Sequence, residues 1–317
     1  MERFESTMKP FEKTVGVIGA TSIIGDYLLP LLVNQGWHVV AFSRSREKIK
    51  NDQDSPISWR LLGGTVSPDV RRNRSPQDPI HHWISLGPIV ALPDYFPLLS
   101  SHGAKRIVAI SSTSRFTKQD SADDDEKKVA KQLAGSEEAL KVWTKKGNIA
   151  FTILRPTMIY DLGRDKNITF IARFIKRIGF FCLLGDASGL RQPVHACDVA
   201  LACAATLQSD AAMNRSYNIP GGEVLTYREM VDRIFAALNK KPCYVKIPFW
   251  LFHIAFFVLR MHPRYRHWSA AMSQRMNQDM VFDATDAQRD FCYLPGPFCL
   301  SADAPCILGK DKNKATQ

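Results

Sequence analysis

Apolar positions in this chain recur at two different periods. A β-rich run, Thr14–Ile18, gives way to small residues, and then Ile23, Ile24, Tyr27, Leu28, Leu31 and Leu32 return at three- and four-residue spacing. That order predicts strand, tight turn and helix. Gly36 closes the helix, and "WHVVAFSR" from Trp37 is a second apolar strand. Further strands are predicted at Ile57–Leu62, His82–Leu86, Arg106–Ile110 and Ile149–Leu154, with helices around Leu92–Ser101 and Lys127–Lys146. Near-continuous apolar strands alternating with helices predict an α/β protein whose doubly wound parallel sheet is covered on both faces.

After Leu154 the pattern changes. "RPTMIYDLGRDKN" leads into an amphipathic helix, Ile168–Ile178, and an aromatic-rich segment ending at Leu184. "RQPVH", the helix after Asp198 and the strand "SYNIP" read as a return to the main sheet. The expected division is therefore a sheet domain over 12–165, rejoined by 190–220, and a smaller, mostly helical lobe over 166–189 and 221–300. "TYREMVDRIFAALN" is an amphipathic helix with Thr226 as N-cap and Glu229 at the capping-box position. The polar tail, 301–317, lacks periodicity and is expected to be disordered.

Composition narrows the picture. At 317 residues and 45% apolar content the chain can bury a full core. Seven cysteines without a Cys-x-x-Cys pair argue against a disulfide framework and against a zinc site, so no metal is expected. The opening "MERFESTMKPFEK" has no apolar core segment and is read as neither signal nor transit peptide, which with the cysteine usage suggests a cytoplasmic protein. A formal charge of +11 is spread over short basic groups without a nucleic-acid motif. An anionic ligand or an acidic membrane surface explains it better than nucleic acid. The run "PFWLFHIAFFVL", 248–259, is too short to cross a bilayer, which takes ~20 apolar residues. It reads as a packing helix, or, with the basic residues through His267, as a peripheral membrane contact over 248–267.

The first turn carries the clearest chemistry. Gly19, Ala20, Thr21, Ser22, Ile23, Ile24 and Gly25 form Gly-x-x-x-x-x-Gly between strand and helix. The first glycine permits the sharp exit from the strand, and the last lets the helix aim its free N–H groups at a pyrophosphate. Ser22 replaces the usual middle glycine, and its hydroxyl is a further donor. At the end of the second strand Ser43 holds the place where an acid would accept from ribose hydroxyls, with Arg44 and Arg46 beside it. Arginine there suits a 2′-phosphate, so NADP(H) is favoured over NAD(H).

Together with four later segments, this chain resembles the atypical and extended short-chain dehydrogenase/reductases, in the NAD-dependent epimerase/dehydratase branch. "VIGATSIIG" is similar to the family's glycine loop and "VAISSTS" to its strand-end serine motif. "TILRPTMIYD" resembles Arg-Pro-x-x-x-Tyr-Gly, with Asp161 in place of the glycine. "GLRQPVHACDVALAC" is similar to Arg-x-x-x-His-x-x-Asp-hydrophobic-Ala, and "YNIPGGEVLTYREMV" to the strand and helix that follow. The resemblance implies a Rossmann-type sheet, a nicotinamide cofactor also bordered by Leu86, Pro156 and Tyr160, and Ser112, with Thr113 as its alternative, at the catalytic hydroxyl position. It implies Arg191 near a substrate diphosphate, with His195 as a further substrate-side candidate, a nucleotide sugar as the substrate class, and a homodimer through the long helices; the plainer reading of His195 and Asp198 is that they fix the strand-to-helix turn, Asp198 as N-cap.

One departure stands out. The family's proton-transfer pair is Tyr-x-x-x-Lys, and between Ser111 and Ile149 this sequence has no tyrosine. Anchoring on Glu137 puts Val129 and Leu133 at the two places; a shift of two residues offers Lys127 and Lys131. Lys131 is retained as a candidate, against the plainer reading of a solvated basic helix face. Three readings therefore stand open: first an NADP(H)-dependent oxidoreductase or epimerase-like enzyme acting on a nucleotide-linked sugar or similar alcohol/carbonyl substrate, which is the reading the sequence favours, then a non-catalytic NAD(P)H-binding sensor or scaffold, and third a fold whose altered loop at Ser22 marks a lost dinucleotide site.

Overall fold

The computed structural model describes residues 13–45, 55–62, 79–247 and 275–300. Arg46, the run 248–267 and the tail 301–317, each singled out above, lie outside them.

Seven strands form one sheet. They are β1 (Lys13–Ile18), β2 (Trp37–Ser43), β3 (Ile57–Leu61), β4 (His82–Ser85), β5 (Arg106–Ile110), β6 (Ala150–Pro156) and β11 (Arg215–Ile219), in the order β11-β6-β5-β4-β1-β2-β3. Every neighbouring pair is parallel, from Val15↔Val39 in β1 and β2 to Tyr217↔Leu154 in β11 and β6. This is the expected doubly wound sheet. The strand order reverses at β1, which lies between β2 and β4, and a crevice at such a point is where α/β sheets take ligands.

Alternate residues of the strands feed two cores, as the period of two requires. Val15, Val17, Val108 and Ile110 pack with α1 (Gly25–Asn34), α6 (Ala196–Gln208) and the last helix, here α8 (Thr285–Phe291). Ile18, Ile107 and Ala109 pack on the other face with α2 (Phe96–Ser101) and α4 (Asp124–Gly147). There Phe96 stacks on Trp143 with ring centroids 4.4 Å apart. The Leu92–Ser101 helix of the sequence reading is divided, its first part being a 3₁₀ segment, Ile89–Tyr95, that contains Pro93. A four-residue helix α3 (Ser114–Thr117) follows β5.

A third core belongs to the lobe: α5 (Ile168–Ile178), β8 (Phe181–Leu184) and α7 (Tyr227–Ala237) enclose Ile175, Leu183, Met230 and Phe235. Thr226 caps α7 and forms the predicted capping box with Glu229. Short pairs complete the lobe: β7 (Ile159–Tyr160) with β10 (Val194–His195), β9 (Leu190–Arg191) with β12 (Leu225–Thr226), and β8 with β13 (Tyr244–Ile247). Among the described residues no helix is long and apolar enough to cross a membrane.

Candidate functional site

The turn from β1 to α1 is shaped by its two glycines. Gly19 has φ +76°, and a Cβ on it would lie 2.8 Å from the backbone nitrogen of Gly87, in the loop after β4. A Cβ on Gly25 would lie 2.1 Å from the Ala20 carbonyl oxygen. Both positions therefore exclude a side chain, and the backbone comes as close to the crevice as a phosphate needs. The Ser22 hydroxyl accepts from the Gly25 N–H at 3.2 Å, so this serine braces the start of α1. Among the described residues the N–H groups of Ile23 and Ile24 have no acceptor, and at a helix N-terminus such groups fit an anion. Leu86, buried, donates its N–H to the Ile18 carbonyl at 2.9 Å and forms the other wall.

At the end of β2 the Ser43 side chain is buried, and its hydroxyl accepts from the Ser45 N–H at 3.1 Å. It turns the chain at the place an acid would hold. Arg44 is exposed there. The residues present thus fit a dinucleotide, with amides for the pyrophosphate and a guanidinium at the ribose end.

Past β5, three hydroxyls separate in role. Ser111 is buried and donates to Glu137 at 2.6 Å. Thr113 is buried and donates to the Pro156 carbonyl at 3.2 Å, tying the end of β5 to that of β6. Ser112 is half-buried and accepts from the Ser114 N–H at 3.1 Å, and its own O–H finds no partner among the described residues. Of the three, Ser112 keeps a proton to offer.

Glu137 sits at the middle of α4 with 0% exposure. Arg155 of β6 donates to it twice, from Nε to Oε1 at 3.0 Å and from Nη2 to Oε2 at 2.6 Å, and Arg115 donates to Oε2 as well. Burial alone would raise this carboxyl, but the hydrogen bonds from Arg155 and Ser111 and the two guanidinium charges hold it below its ordinary value. The hub fixes the rotation of α4. Leu133 and Val129, four and eight residues before Glu137, continue the same stripe, buried at Leu133 and 38% exposed at Val129. Lys131 is exposed and about 120° round the helix from Glu137, at ~100° per residue. Lys127 pairs with Asp124 at 3.4 Å. On the anchoring at Glu137, the two positions that the resemblance gives to the proton-transfer pair are apolar.

The lobe side is closed by chain that sequence reasoning did not connect to the site. Arg191 is buried, donates to the carbonyls of Leu190 at 2.7 Å, Gln278 at 2.6 Å and Arg275, and lies over the Tyr227 ring at 5.5 Å. Its fork holds the backbone of 275–278. Arg275 in turn pairs with Glu126 in the first turn of α4, where Lys118 also approaches at 3.7 Å. Phe116 and Phe282 meet with ring centroids 6.2 Å apart. The signals were present, a Glu in an acidic "DDDE" run and an Arg in "SQRMN", but neither has a spacing that names its partner.

His195 caps α6: its Nδ1 accepts from the Cys197 N–H at 3.1 Å, which assigns the proton to Nε2. Asp198, expected as that N-cap, stands three residues inside the helix and accepts from the Gly296 N–H at 3.2 Å; the imidazole reached the free amides first. Burial lowers the His195 pKa, against the opposing charges of Asp161 and Asp198. Its ring lies edge-on between Tyr27 at 5.5 Å and Tyr160 at 5.1 Å. Tyr160 is buried, its oxygen accepts from the Cys299 N–H at 3.1 Å, and burial pushes its pKa up to about 12. It packs against His195 and Phe298, and a phenol so placed is a poor base. Among the described residues no cluster of three or more His, Cys, Asp or Glu is arranged to hold a metal ion.

Comparison with known proteins adds the lineage. Residues 96–220 match the model of the NAD dependent epimerase/dehydratase family. A relative in Arabidopsis thaliana, NADH dehydrogenase [ubiquinone] 1 alpha subcomplex subunit 9, mitochondrial, is 27% identical over 74% of this chain and 60% of its own length. The divinyl chlorophyllide a 8-vinyl-reductase, chloroplastic, of Oryza sativa subsp. indica is 25% identical over 80% of this chain and 65% of its own. The chain thus spans less than two thirds of the length of these two relatives. Among solved structures, UDP-glucose 4-epimerase from Thermotoga maritima with UDP-glucose superposes with a TM-score of 0.60 at 14% identity, over 89% of this chain and 93% of that one. UDP-glucuronic acid 4-epimerase from Bacillus cereus, with UDP-glucuronic acid and NAD, gives 0.62 at 15% identity, over 89% and 94%.

Proposed function

We propose that this chain, whose residues 96–220 match the model of the NAD dependent epimerase/dehydratase family, binds a nicotinamide dinucleotide, NADP(H) in preference to NAD(H), and keeps it as a structural ligand. The observation that carries this reading is the α4 stripe: Glu137, on which the resemblance is anchored, is locked to Arg155, and counted from it the places of the proton-transfer pair fall on Val129 and Leu133. Neither side chain can exchange a proton. The unpaired amides of Ile23 and Ile24 and the exposed Arg44 support retention of the cofactor site. A relative that is by name a subunit of a larger dehydrogenase supports a role within an assembly. In thermal shift, NADPH should raise the unfolding midpoint more than NADH, since a ligand that binds only the folded state stabilises it by mass action. The same protein should leave NADPH unoxidised in the presence of UDP-sugars. A midpoint unmoved by either nucleotide would overturn the proposal.

A catalytic reading has one specific support, the unspent O–H of Ser112 at the end of β5. That hydroxyl would orient the oxygen of a nucleotide-linked sugar or similar alcohol/carbonyl, with Thr113 and Arg191 holding the surrounding backbone and water or Lys131 in place of the phenol. Solved neighbours holding UDP-sugars favour that substrate class. Sustained turnover with UDP-glucose or UDP-glucuronic acid, abolished in Ser112→Ala, would favour this reading over the first.

A further inference from the structure

We propose that the outward face of α5 is a docking surface for an anionic lipid bilayer. The inner face of this helix, Ile168, Ile171, Ala172 and Ile175, is buried in the lobe core. Its outer face carries Arg173, Lys176 and Arg177, all exposed, with Lys166 just before the helix. Among the described residues none of these four has a carboxylate within ion-pair distance. Some exposed cations elsewhere on the protein are paired, Lys127 with Asp124, Arg164 with Asp26, Arg215 with Asp290 and Arg289 with Asp286, while others, such as Lys128, Lys131, Lys145 and Lys146 of α4, are exposed without such a pair among the described residues. No Asp or Glu occurs between Lys166 and Gly185. The flanking carboxylates are Asp165, buried and spent on the N–H groups of Asn167 and Ile168, and Asp186. Lys240 donates to the carbonyls of Ile175 and Lys176, adding a cation at the helix C-terminus, and the exposed Lys241 lies beside it.

Apolar groups interrupt the charge. Ile178 is 45% exposed and Val245, on β13, 42%. Half-buried Phe174 and Phe180 meet edge to face at 6.5 Å. A cationic face with exposed aliphatic groups and partly exposed aromatic rings suits the headgroup region of a bilayer, where the cations meet anionic lipid and the apolar groups face the acyl boundary. β13, paired with β8 beside α5, ends at Ile247, immediately before the apolar sequence PFWLFHIAFFVL.

The test is co-sedimentation of the full chain with phosphatidylcholine vesicles and with vesicles of phosphatidylcholine and phosphatidylserine at 3:1. Binding is expected to the second and not the first, and to weaken with added salt. Each cation near an anionic surface gains roughly fivefold in partitioning, so Arg173→Gln/Lys176→Gln/Arg177→Gln should lose binding on the order of a hundredfold. These side chains are exposed, and the NADPH thermal shift of the variant should match the parent, which keeps this test separate from that of the cofactor. Lys166→Gln/Lys241→Gln, at the two ends of the face, should lose roughly twenty-five-fold on the same scale. Equal binding to both vesicle types, unchanged binding by both variants, or binding to a single-stranded RNA but not to vesicles would overturn the proposal.

Discussion

Glu137→Gln is the substitution from which most can be learned. The parent carboxylate has 0% exposure and accepts from Ser111, twice from Arg155 and once from Arg115. Glutamine keeps the volume but removes the charge, and turns one acceptor into a donor aimed at guanidinium donors. The Arg155 side chain, 12% exposed, is then left without its counter-charge. Breaking one partner out of a buried pair costs about 3–5 kcal/mol, a large share of the roughly 5–15 kcal/mol by which folded proteins are stable. Urea unfolding at pH 7 should show that loss in the single variant. Glu137→Leu/Arg155→Met should recover much of it, because an apolar pair of similar volume needs no counter-charge. The pH dependence has a definite sign. With its folded pKa lowered, Glu137 contributes stability that is present above the unfolded carboxyl value of roughly 4.3 and is lost as pH falls through the folded value. The glutamine variant should lack that part of the acid limb. A single variant within about 1 kcal/mol of the parent, against the cost expected for a buried pair, would refute the view that this hub sets α4.

Other outcomes follow from the site. Gly25→Ala places a methyl 2.1 Å from the Ala20 carbonyl oxygen, so the turn must open and the NADPH thermal shift should vanish. Arg44→Asp should reverse nucleotide preference, with NADPH weakened by roughly tenfold or more relative to NADH in calorimetry, as expected for loss of a charge-assisted phosphate contact. His195 has a lowered folded pKa, so its contribution is present above the unfolded value of roughly 6.5 and is lost as pH falls through the folded value; His195→Asn should flatten stability across that window. Tyr160→Phe leaves the Cys299 N–H without its acceptor and should cost about 1–3 kcal/mol while leaving the NADPH shift in place.

What could be read from the sequence follows the range of the forces involved. The sheet strands β1 to β6 and helices α1, α4, α5 and α7 announce themselves by local periodicity, and the Thr226/Glu229 capping box by a three-residue spacing. The glycine turn was legible because sterics at Gly19 and Gly25 act within one loop. Glu137 is recognisable by its place in the resembled motif, yet Arg155, eighteen residues on in β6, meets it only because α4 folds back against that strand. Two-residue strands such as β7 and β10 are too short to carry a period. The fate of Arg191 was hidden for a different reason: its partners are backbone carbonyls of 275–278, and a carbonyl has no residue type to recognise. Asp198 misled because several polar residues near a helix start compete for the same amides, and only geometry decides between them.

The reversal of strand order at β1 has a consequence for how this protein comes apart. A dinucleotide seated there would touch the β2 end on one side and the β4, β5 and β6 ends on the other. Those two groups of strands are paired only through β1, with side-chain contacts such as Phe42 on Trp83 beside it, so the ligand would act as a further fastening between them. Protease nicking or local melting in either half would then be slowed by nucleotide even at sites far from the turn, and both halves would lose protection together when it leaves.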